Sequence, residues 1–287
     1  MSFAGREFGH VVDGEGGSVT ELVRSGTLPS LIAEHGVVLL RNFRDGAEEF
    51  ETVTDSLGAV RPANIRVGTT RQFESGNGTQ AVNAGNLAVP LHAESYYTPI
   101  SPQILAFTCV EFTTAGGETV FCDGVELFGR LDEDARTALR SASVEWRHEC
   151  AVSDLETQTQ MSVDRFRRWC DRADECSVTV DDTTGTVAIR YVAPAIRKTW
   201  WGAQESFANN LIPINQSGVL AEMSPGLAAR HVEAAEREAA AITVAHRWQP
   251  RDVALIDNTR VMHGRNPWSG GVRHLQVRML TVEADPD

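Results

Sequence analysis

The sequence contains no long apolar run, no paired-cysteine motif and no cluster of lysine and arginine residues. A membrane-spanning helix needs about 18 consecutive apolar residues, and no stretch approaches that length. The first ten residues lack the basic and apolar regions of a secretory leader. The five cysteines are an odd number without a CxxC pair, which favours reduced thiols over a disulfide framework. We therefore expect a cytoplasmic protein that does not cross a membrane.

The charge balance is strongly acidic. The chain of 287 residues has 39 Asp and Glu against 26 Lys and Arg, a formal net charge of −13 at pH 7. Its densest basic run, from Arg165 to Arg168, has acidic residues on either side. Such a surface repels phosphate backbones and anionic lipids. We expect a small-molecule substrate and neither a nucleic-acid nor a membrane partner, while the oligomeric state stays open.

Apolar periodicity predicts a mainly β protein with flanking helices. Residues 104–110 are apolar on both alternating sets, as in a strand covered on both faces. Further strands are predicted at Val37–Leu40, Glu118–Cys122, Val144–Val152, Val187–Val192, Ile242–Trp248, Val253–Asp257 and Val272–Val282. Helices are predicted at Ser18–Arg24, Leu28–Glu34, Ala47–Ser56, Val163–Arg172 and Pro225–Ala240, and from an Asp123 cap to Ser141.

The domain organisation is predicted to be simple. Residues 62–88 have no clear period and are expected to form a long loop, which in a compact domain is usually functional or mobile. No linker, repeat or low-complexity tract divides the chain. We expect a single domain over residues 1–287, with a β-sandwich or barrel core and helices packed outside it.

Two His-x-Glu triplets are candidate metal-binding pairs among the eight histidines. Side chains two positions apart share a face only in an extended chain. His231 and Glu233 lie in a predicted helix, so they cannot hold one ion. His92 and Glu94 are predicted at the end of a strand, so they can. His263, 171 residues after His92, is a candidate third ligand. Two imidazoles and one carboxylate leave one face of a metal open, as in non-haem Fe(II) oxygenases.

Four segments surround these residues and Thr119: Leu91–Tyr97, Gly116–Gly124, Trp248–Asn258 and His263–Arg265. In order and separation they resemble the taurine dioxygenase/clavaminate synthase-like family of Fe(II)- and 2-oxoglutarate-dependent oxygenases. The resemblance extends from about residue 20 to residue 281. It implies a double-stranded β-helix, or jelly roll. It also implies Fe(II) bound by His92, Glu94 and His263, with 2-oxoglutarate and O2 as co-substrates.

The resemblance further implies how 2-oxoglutarate is held. Thr119 and Arg273 match the family's ligands for its distal carboxylate, and a guanidinium suits that task because it binds a carboxylate through two parallel hydrogen bonds. The family often has a second arginine four residues later, where this chain has Val277. The next arginine, Arg278, is predicted on the opposite face of the strand. Arg278 is therefore an alternative anchor for 2-oxoglutarate or a substrate contact.

Glu94 limits the reactions that the resemblance allows. Many family members have Asp at this position, and halogenating relatives have a small residue that lets chloride bind the iron. Because Glu94 fills that position, hydroxylation is the default outcome, and desaturation or ring closure stays open.

The substrate is predicted to be a small, amino-acid-like or otherwise carboxylate-bearing compound of secondary metabolism. An unactivated C–H bond would be oxidised while 2-oxoglutarate gives succinate and CO2. Candidate substrate contacts, chosen by position, are Tyr96, Tyr97, Trp200, Trp201, Phe207, Asn209 and Arg278.

Two other functions are compatible with the same three ligands. One is a Zn(II) hydrolase or lyase, in which Thr119 and Arg273 would have no shared purpose. The other is a jelly-roll binding protein whose metal site is vestigial.

Overall fold

The computed structural model describes residues 8–60, 78–82, 85–159 and 161–282. In this part of the chain, two β-sheets form the centre. The larger has seven strands: β1 (His10–Asp13), β2 (Val37–Arg41), β15 (Val253–Asp257), β6 (Ile104–Phe112), β18 (Arg273–Thr281) and β3 (Ala59–Val60) in that order, with β4 (Gln80–Ala81) also paired to β18. The smaller has four strands, in the order β14 (Val244–His246), β8 (Thr119–Asp123), β16 (Val261–Arg265) and β5 (Val89–His92).

The larger sheet is covered on both faces. Leu105 and Phe107 of β6 lie in a core that also contains apolar residues of β8 and β16, so this core joins the two sheets. Ile104 and Ala106 lie in a second core on the outer face. That outer face is covered by three helices: α1 (Val19–Ser25), α2 (Leu28–His35) and α3 (Phe50–Asp55). The two alternating apolar sets of β6 correspond to these two cores, as predicted from the sequence.

The outer face of the smaller sheet is also covered by helices. Cys122 of β8 and Met262 of β16 contribute to this third core. The helices are α4 (Gly124–Arg130), α5 (Glu133–Ser141), α8 (Leu211–Gln216), α9 (Leu220–Met223) and α10 (Ala229–Ile242).

The single helix predicted from Asp123 to Ser141 is in fact two helices. Asp123 caps α4, with its side chain accepting from the backbone N–H groups of Val125 and Glu126. Asp132 caps α5 in the same way, accepting from the N–H of Ala135 at 2.8 Å. A second capping residue starts a new helix and so ends the first.

The remaining elements lie beside the two sheets. Helices α6 (Val152–Thr159) and α7 (Val163–Cys170) pack on an antiparallel sheet of β10 (Cys176–Asp181), β11 (Thr186–Pro194) and β9 (Ser143–Ala151). Two short ribbons pair β12 (Arg197–Lys198) with β13 (Glu205–Ser206), and β7 (Ala115–Gly116) with β17 (Trp268–Ser269). Among the described residues, no helix has the length and apolarity needed to cross a bilayer. The single domain over residues 1–287 stays a prediction.

Candidate active site

The three predicted metal ligands lie on neighbouring parts of the smaller sheet. His92 is the last residue of β5, Glu94 follows two residues later, and His263 lies in β16. Strand β16 pairs antiparallel with β5, and His263 is the register partner of His92. Strand pairing therefore brings together side chains that are 171 residues apart in the sequence.

The donor atoms of this triad converge. Oε2 of Glu94 lies 4.0 Å from Nε2 of His92 and 3.9 Å from Nε2 of His263. One ligand atom from each residue can be chosen so that all three lie within 4.8 Å of one another. These separations are too long for direct hydrogen bonds and leave space for one ion that contacts all three residues.

The protonation state of His92 suits a metal ligand. Its Nδ1 lies 2.9 Å from the carbonyl oxygen of Pro90. Because a carbonyl only accepts hydrogen bonds, Nδ1 carries the proton and Nε2 keeps its lone pair for an ion. The Glu94 side chain is only 5% exposed, and burial of a carboxylate is costly unless a cation compensates its charge. The residues present therefore fit a divalent metal ion, and an imidazole and carboxylate donor set suits iron.

Asn258 holds the backbone of Glu94 in place. Its Oδ1 accepts from the N–H of Glu94 at 2.8 Å, and its Nδ2 donates to the carbonyl oxygens of Glu94 and Pro102 at 3.0 and 2.9 Å. The Asn258 side chain is fully buried. Asn258 lies in one of the family-like segments, but the sequence alone does not predict this role. Its position directly after a predicted buried strand was the available signal.

A cavity of about 90 Å³ lies beside the triad. We call it the triad cavity. Its other lining residues are Val82, Val89, Tyr97, Phe107, Thr119, Asn210, Gly264, Arg265 and Arg273. Three sequence-predicted residues, Tyr97, Thr119 and Arg273, are thus placed with the triad. The predicted loop over residues 62–88 falls outside the described residues at 62–77, 83 and 84.

Arg273 is a partly buried cation in the triad cavity. Its Nε donates to the carbonyl oxygen of Gly117 at 2.9 Å, and its Nη2 lies 3.4 Å from Oγ1 of Thr119. Burial, and then the nearby charge of Arg265, lowers the pKa of Arg273 to about 10, so the guanidinium remains protonated at neutral pH. Within the described ranges, no carboxylate forms an ion pair with Arg273. An anionic ligand would compensate this charge.

Trp248 sets the direction of the Thr119 hydroxyl. Its Nε1 donates to Oγ1 of Thr119 at 2.8 Å, within the buried interior. Arg273 is a second N–H donor toward the same oxygen, at 3.4 Å. A hydroxyl has two acceptor lone pairs and one hydrogen. Because both neighbours are donors, the Thr119 hydrogen is left for an acceptor in the triad cavity. Trp248 lies in one of the family-like segments, but the sequence alone does not predict its contact with Thr119.

Arg265 is a second cation in the triad cavity that the sequence analysis missed. It lies two residues after His263 on β16, and alternation sends both side chains to the same face. Its Nη2 donates to the carbonyl oxygen of Leu87 at 2.8 Å, and burial lowers its pKa. Position 264, between His263 and Arg265, requires glycine because a Cβ there would lie 2.6 Å from the carbonyl oxygen of Val89.

Three other predicted substrate residues lie in the hydrophobic core and not in the triad cavity. Tyr96 and Phe207 are fully buried in the core between the smaller sheet and its helices. The Tyr96 hydroxyl donates to the carbonyl oxygen of Pro194 at 2.9 Å. Asn209 is also fully buried, donating to the Ala195 carbonyl and accepting from the Leu211 N–H, each at 2.8 Å. None of the three is among the described residues that line the triad cavity, and their role as substrate contacts stays a prediction.

The two adjacent tryptophans are also placed elsewhere. Trp201 packs against the core beneath α1 to α3. Trp200 is 44% exposed and lines a different cavity. Neither lines the triad cavity.

Arg278, predicted as an alternative 2-oxoglutarate or substrate ligand, is not among the described residues that line the triad cavity. Its side chain is only 2% exposed and lies on the helix-covered face of the larger sheet. It donates to the Glu51 carbonyl at 3.2 Å, to Thr54 Oγ1 and to Asp55 Oδ1 at 2.8 Å. Alternation along β18 separates it from Arg273, and its bonds tie the strand to α3.

Comparison with known proteins gives related sequences and structures. The chain is 23% identical over 279 residues to the dapdiamide synthesis protein DdaC of Enterobacter agglomerans, covering 88% of this chain and 84% of that protein. It is 24% identical over 253 residues to the 3-((Z)-2-isocyanoethenyl)-1H-indole synthase of Fischerella ambigua (strain UTEX 1903), covering 87% and 83%. PvcB of Pseudomonas aeruginosa, an Fe, alpha-ketoglutarate dependent oxygenase from an isonitrile synthetic pathway, has a similar structure. Its TM-score is 0.61 at 19% identity, covering 96% of this chain and 86% of that one.

A family model also matches most of the chain. The model of the taurine catabolism dioxygenase TauD, TfdA family matches residues 15–279. With the structural neighbours, this match confirms the jelly-roll fold and the Fe(II)- and 2-oxoglutarate-dependent dioxygenase class expected from the sequence. The chain belongs to the TauD, TfdA family of dioxygenases.

Proposed function

We propose that this dioxygenase oxidises an unactivated C–H bond in a small, carboxylate-bearing metabolite of amino-acid-like size, while 2-oxoglutarate is converted to succinate and CO2. Hydroxylation is the default outcome, and desaturation and ring closure use the same site. One observation carries the proposal: two arginines, Arg265 and Arg273, line the same small cavity as the His92, Glu94 and His263 triad. Two cations beside one metal site suit two carboxylate ligands.

The first carboxylate is assigned to 2-oxoglutarate. Arg273 and the Thr119 hydroxyl lie together at one side of the triad cavity, and both offer hydrogens to an anion. The second carboxylate is assigned to the substrate at Arg265. The triad would hold Fe(II), which supplies O2 activation coupled to decarboxylation of 2-oxoglutarate.

The apolar part of the triad cavity positions the substrate and limits water. Phe107 packs beside His263 with ring centroids 5.6 Å apart, and Val82 and Val89 add aliphatic surface. An apolar wall with a few convergent polar groups is typical of small-molecule sites. Holding the reacting carbon in a fixed place is the main contribution of such a wall to catalysis.

The named relatives support a small substrate of secondary metabolism. DdaC is named for dapdiamide synthesis, and the second relative for synthesis of an isocyanoethenyl indole.

We also propose a cytoplasmic location, because all five cysteines are free and so suit a reducing compartment.

The function is tested with the purified full chain. Anaerobic addition of Fe(II) and 2-oxoglutarate should give the weak visible charge-transfer band of the chelate, and admitting O2 should yield succinate. Zn(II) in place of Fe(II) is the control and should give neither signal. Bound iron without the band and without succinate would reject the proposal, and would favour a non-oxidative metalloenzyme or a binding protein.

Replacing Trp248 with Phe should raise the KM for 2-oxoglutarate by about fivefold to tenfold, with a much smaller change in kcat. The substitution removes one hydrogen bond to Thr119, worth about 1 kcal/mol, and frees the hydroxyl to rotate away from the co-substrate. Succinate formation at varied 2-oxoglutarate measures both constants. Trp200→Phe is the matched control and should leave the KM for 2-oxoglutarate unchanged. A fall in kcat of about fivefold to tenfold, with an unchanged KM for 2-oxoglutarate, would contradict the positioning role of Trp248.

Replacing Arg265 with Gln should abolish selection for a carboxylate substrate. A charged hydrogen bond is worth about 1.5–3 kcal/mol, so affinity should fall by roughly tenfold to a hundredfold. The assay is succinate formation stimulated by a panel of amino acids and their carboxamides. The wild type should prefer acids, and the variant should lose that preference with an almost unchanged KM for 2-oxoglutarate. A selective loss of 2-oxoglutarate affinity would instead assign Arg265 to the co-substrate.

A further inference from the structure

A second cavity lies outside the triad cavity and shares none of its lining residues. Its volume is about 210 Å³, against about 90 Å³ beside the triad. Its walls come from the segment after Glu94, from α7, from β12 and its flanking residues, and from the segment after β15. We call it the Arg197 cavity, and the residues used below are Ser101, Trp169, Arg197, Lys198, Trp200 and Thr259.

Among the described residues, the wall of the Arg197 cavity has two neighbouring cations and no carboxylate. Arg197 and Lys198 are consecutive on β12, and none of the residues that line the cavity is Asp or Glu. Lys198 is the only lysine of the chain. Its cross-strand partner Glu205 is held by two hydrogen bonds from Arg140, each of 3.0 Å. An acid-free wall with two cations favours an anionic ligand, even in a protein of net charge −13.

The Arg197 guanidinium is fixed in position but incompletely bonded. It stacks over the Tyr96 ring at 4.9 Å, and its Nη2 donates to the carbonyl oxygen of Ala208 at 3.0 Å. Its Nε is buried and, among the described residues, has no hydrogen-bond acceptor. A buried donor without an acceptor is unfavourable in a native structure. The Ala208 carbonyl is thus the described acceptor of this guanidinium, and its positive charge is not compensated by a described carboxylate.

The Ser101 and Thr259 hydroxyl groups of the cavity are already engaged. Ser101 Oγ donates to the carbonyl oxygen of Ser95 at 2.8 Å. Thr259 Oγ1 donates to Asp257 Oδ1 at 2.5 Å and accepts from the backbone N–H of Trp200 at 2.8 Å. Recognition of an anionic group is therefore assigned to the two cations, and the Tyr191 hydroxyl also lies in the wall.

Two indole rings, with Pro99 and Ile100, contribute apolar surface to the wall. Trp169 is one of the buried residues of α7 and is almost fully buried. Trp200 is the only aromatic among the four large apolar side chains that are exposed in the described part of the chain. Tryptophan beside arginine is the composition typical of binding hot spots, and a flat apolar group stacks well on an indole.

We propose that the Arg197 cavity is a second binding site, for a small aromatic carboxylate. The carboxylate binds Arg197 and Lys198, and the ring lies against Trp200. A cavity of about 150 Å³ holds benzene, so about 210 Å³ accommodates a ring that carries an acidic group. The site is independent of the reaction at the triad, because it uses different residues.

The test uses the full chain loaded anaerobically with Fe(II) and 2-oxoglutarate. The probes are indole-3-acetate and its neutral analogue indole-3-acetamide, and binding is measured by calorimetry. The acid should bind at one site about tenfold more tightly than the amide. Arg197→Gln and Lys198→Gln should each remove the preference for the acid over the amide. Trp200→Ala should weaken the binding of both probes. Lys198 is exposed, so its variant should fold even if loss of the Arg197 contact to Tyr96 destabilises the other.

A second readout uses the single lysine. Acetylation of Lys198 by an amine-reactive reagent, followed by mass spectrometry, should be slowed about tenfold by indole-3-acetate and not by the amide. The α-amino group is the internal control and should react at an unchanged rate. Arg265→Gln, in the triad cavity, should leave binding of the acid unchanged.

Three results would overturn the proposal. The first is no binding of indole-3-acetate at millimolar concentration. The second is binding that Arg265→Gln removes, because the probe would then occupy the triad cavity. The third is an acid preference that persists in both Arg197→Gln and Lys198→Gln.

Discussion

Replacing Glu94 with Ala should abolish 2-oxoglutarate turnover, with a fall in kcat on the order of 10³-fold or more, equivalent to about 4 kcal/mol. Glu94 supplies the only carboxylate of the triad, and its oxygen lies about equally far from both imidazoles, 4.0 and 3.9 Å. Without it, two histidines on paired strands are left to hold the ion. Two imidazoles bind a divalent metal more weakly than two imidazoles and a carboxylate do. They also leave one of the three protein coordination positions empty.

The measurement combines metal content with succinate formation. Glu94→Ala should lose most of its iron after desalting, whereas Glu94→Asp should keep iron and part of the activity, because the shorter carboxylate can still reach the ion. Glu222→Ala, an exposed residue of α9, is the control and should match the wild type. Full iron content and full turnover in Glu94→Ala would show that the metal is held elsewhere.

Replacing Arg273 with Leu should weaken 2-oxoglutarate binding by about 30-fold to several thousand-fold. Loss of one partner from a buried, hydrogen-bonded charge pair costs about 2–5 kcal/mol, and the distal carboxylate of the co-substrate would be left against Thr119 alone. Iron content should be unchanged, because Arg273 is not a metal ligand in the proposed site. The affinity is measured by anaerobic titration of the charge-transfer band.

Two comparisons make the Arg273 prediction specific. Arg273→Lys keeps the charge but loses the two parallel hydrogen bonds. Its affinity for 2-oxoglutarate should therefore lie between those of Arg273→Leu and the wild type. In the wild type, the affinity for 2-oxoglutarate should stay constant through neutral pH. It should decline as the pH rises through about 10, the lowered pKa of Arg273, because the guanidinium then loses its proton. An unchanged affinity in Arg273→Leu would transfer the anchoring role to Arg265, the other arginine of the triad cavity.

Alternation along strands explains why most of the metal site was predictable. An extended His-x-Glu pair places both side chains on one face, and the structure has His92 at the end of β5. The strand that carries His263 was not predicted, because Val261–Arg265 is short and contains Gly264 between two polar residues. Its pairing with β5 and β8 is a long-range contact that local periodicity does not encode.

The arginines show what alternation leaves undecided. It separates Arg273 from Arg278 correctly, but both faces of β18 are covered by apolar cores. Only the tertiary structure shows that the face of Arg273 meets the triad and the face of Arg278 meets α3. The same rule, applied from His263, places Arg265 on the face of the triad, but it needs the strand Val261–Arg265, which the local sequence does not predict.

The substrate residues were the least predictable part. Aromatic and amide side chains near the metal strand suit a pocket wall and a hydrophobic core equally well. Tyr96 and Phe207 fill the core under the smaller sheet, and only Tyr97 reaches the triad cavity. Which of two adjacent tyrosines faces the cavity depends on the turn after Glu94, where Ser95 has a φ of 55°. That turn reverses the alternation expected of a strand.

The pairing of His263 with His92 also determines when the site can form in a living cell. Chain synthesis proceeds at about 5–20 residues per second, so the ribosome needs on the order of 10–30 s to make the 171 residues between these ligands. During that interval the nascent chain has an incomplete ligand set and no Arg273. Iron is therefore acquired only once nearly the whole polypeptide has been made, and a chain truncated before β16 would carry a His-x-Glu pair that cannot retain the metal.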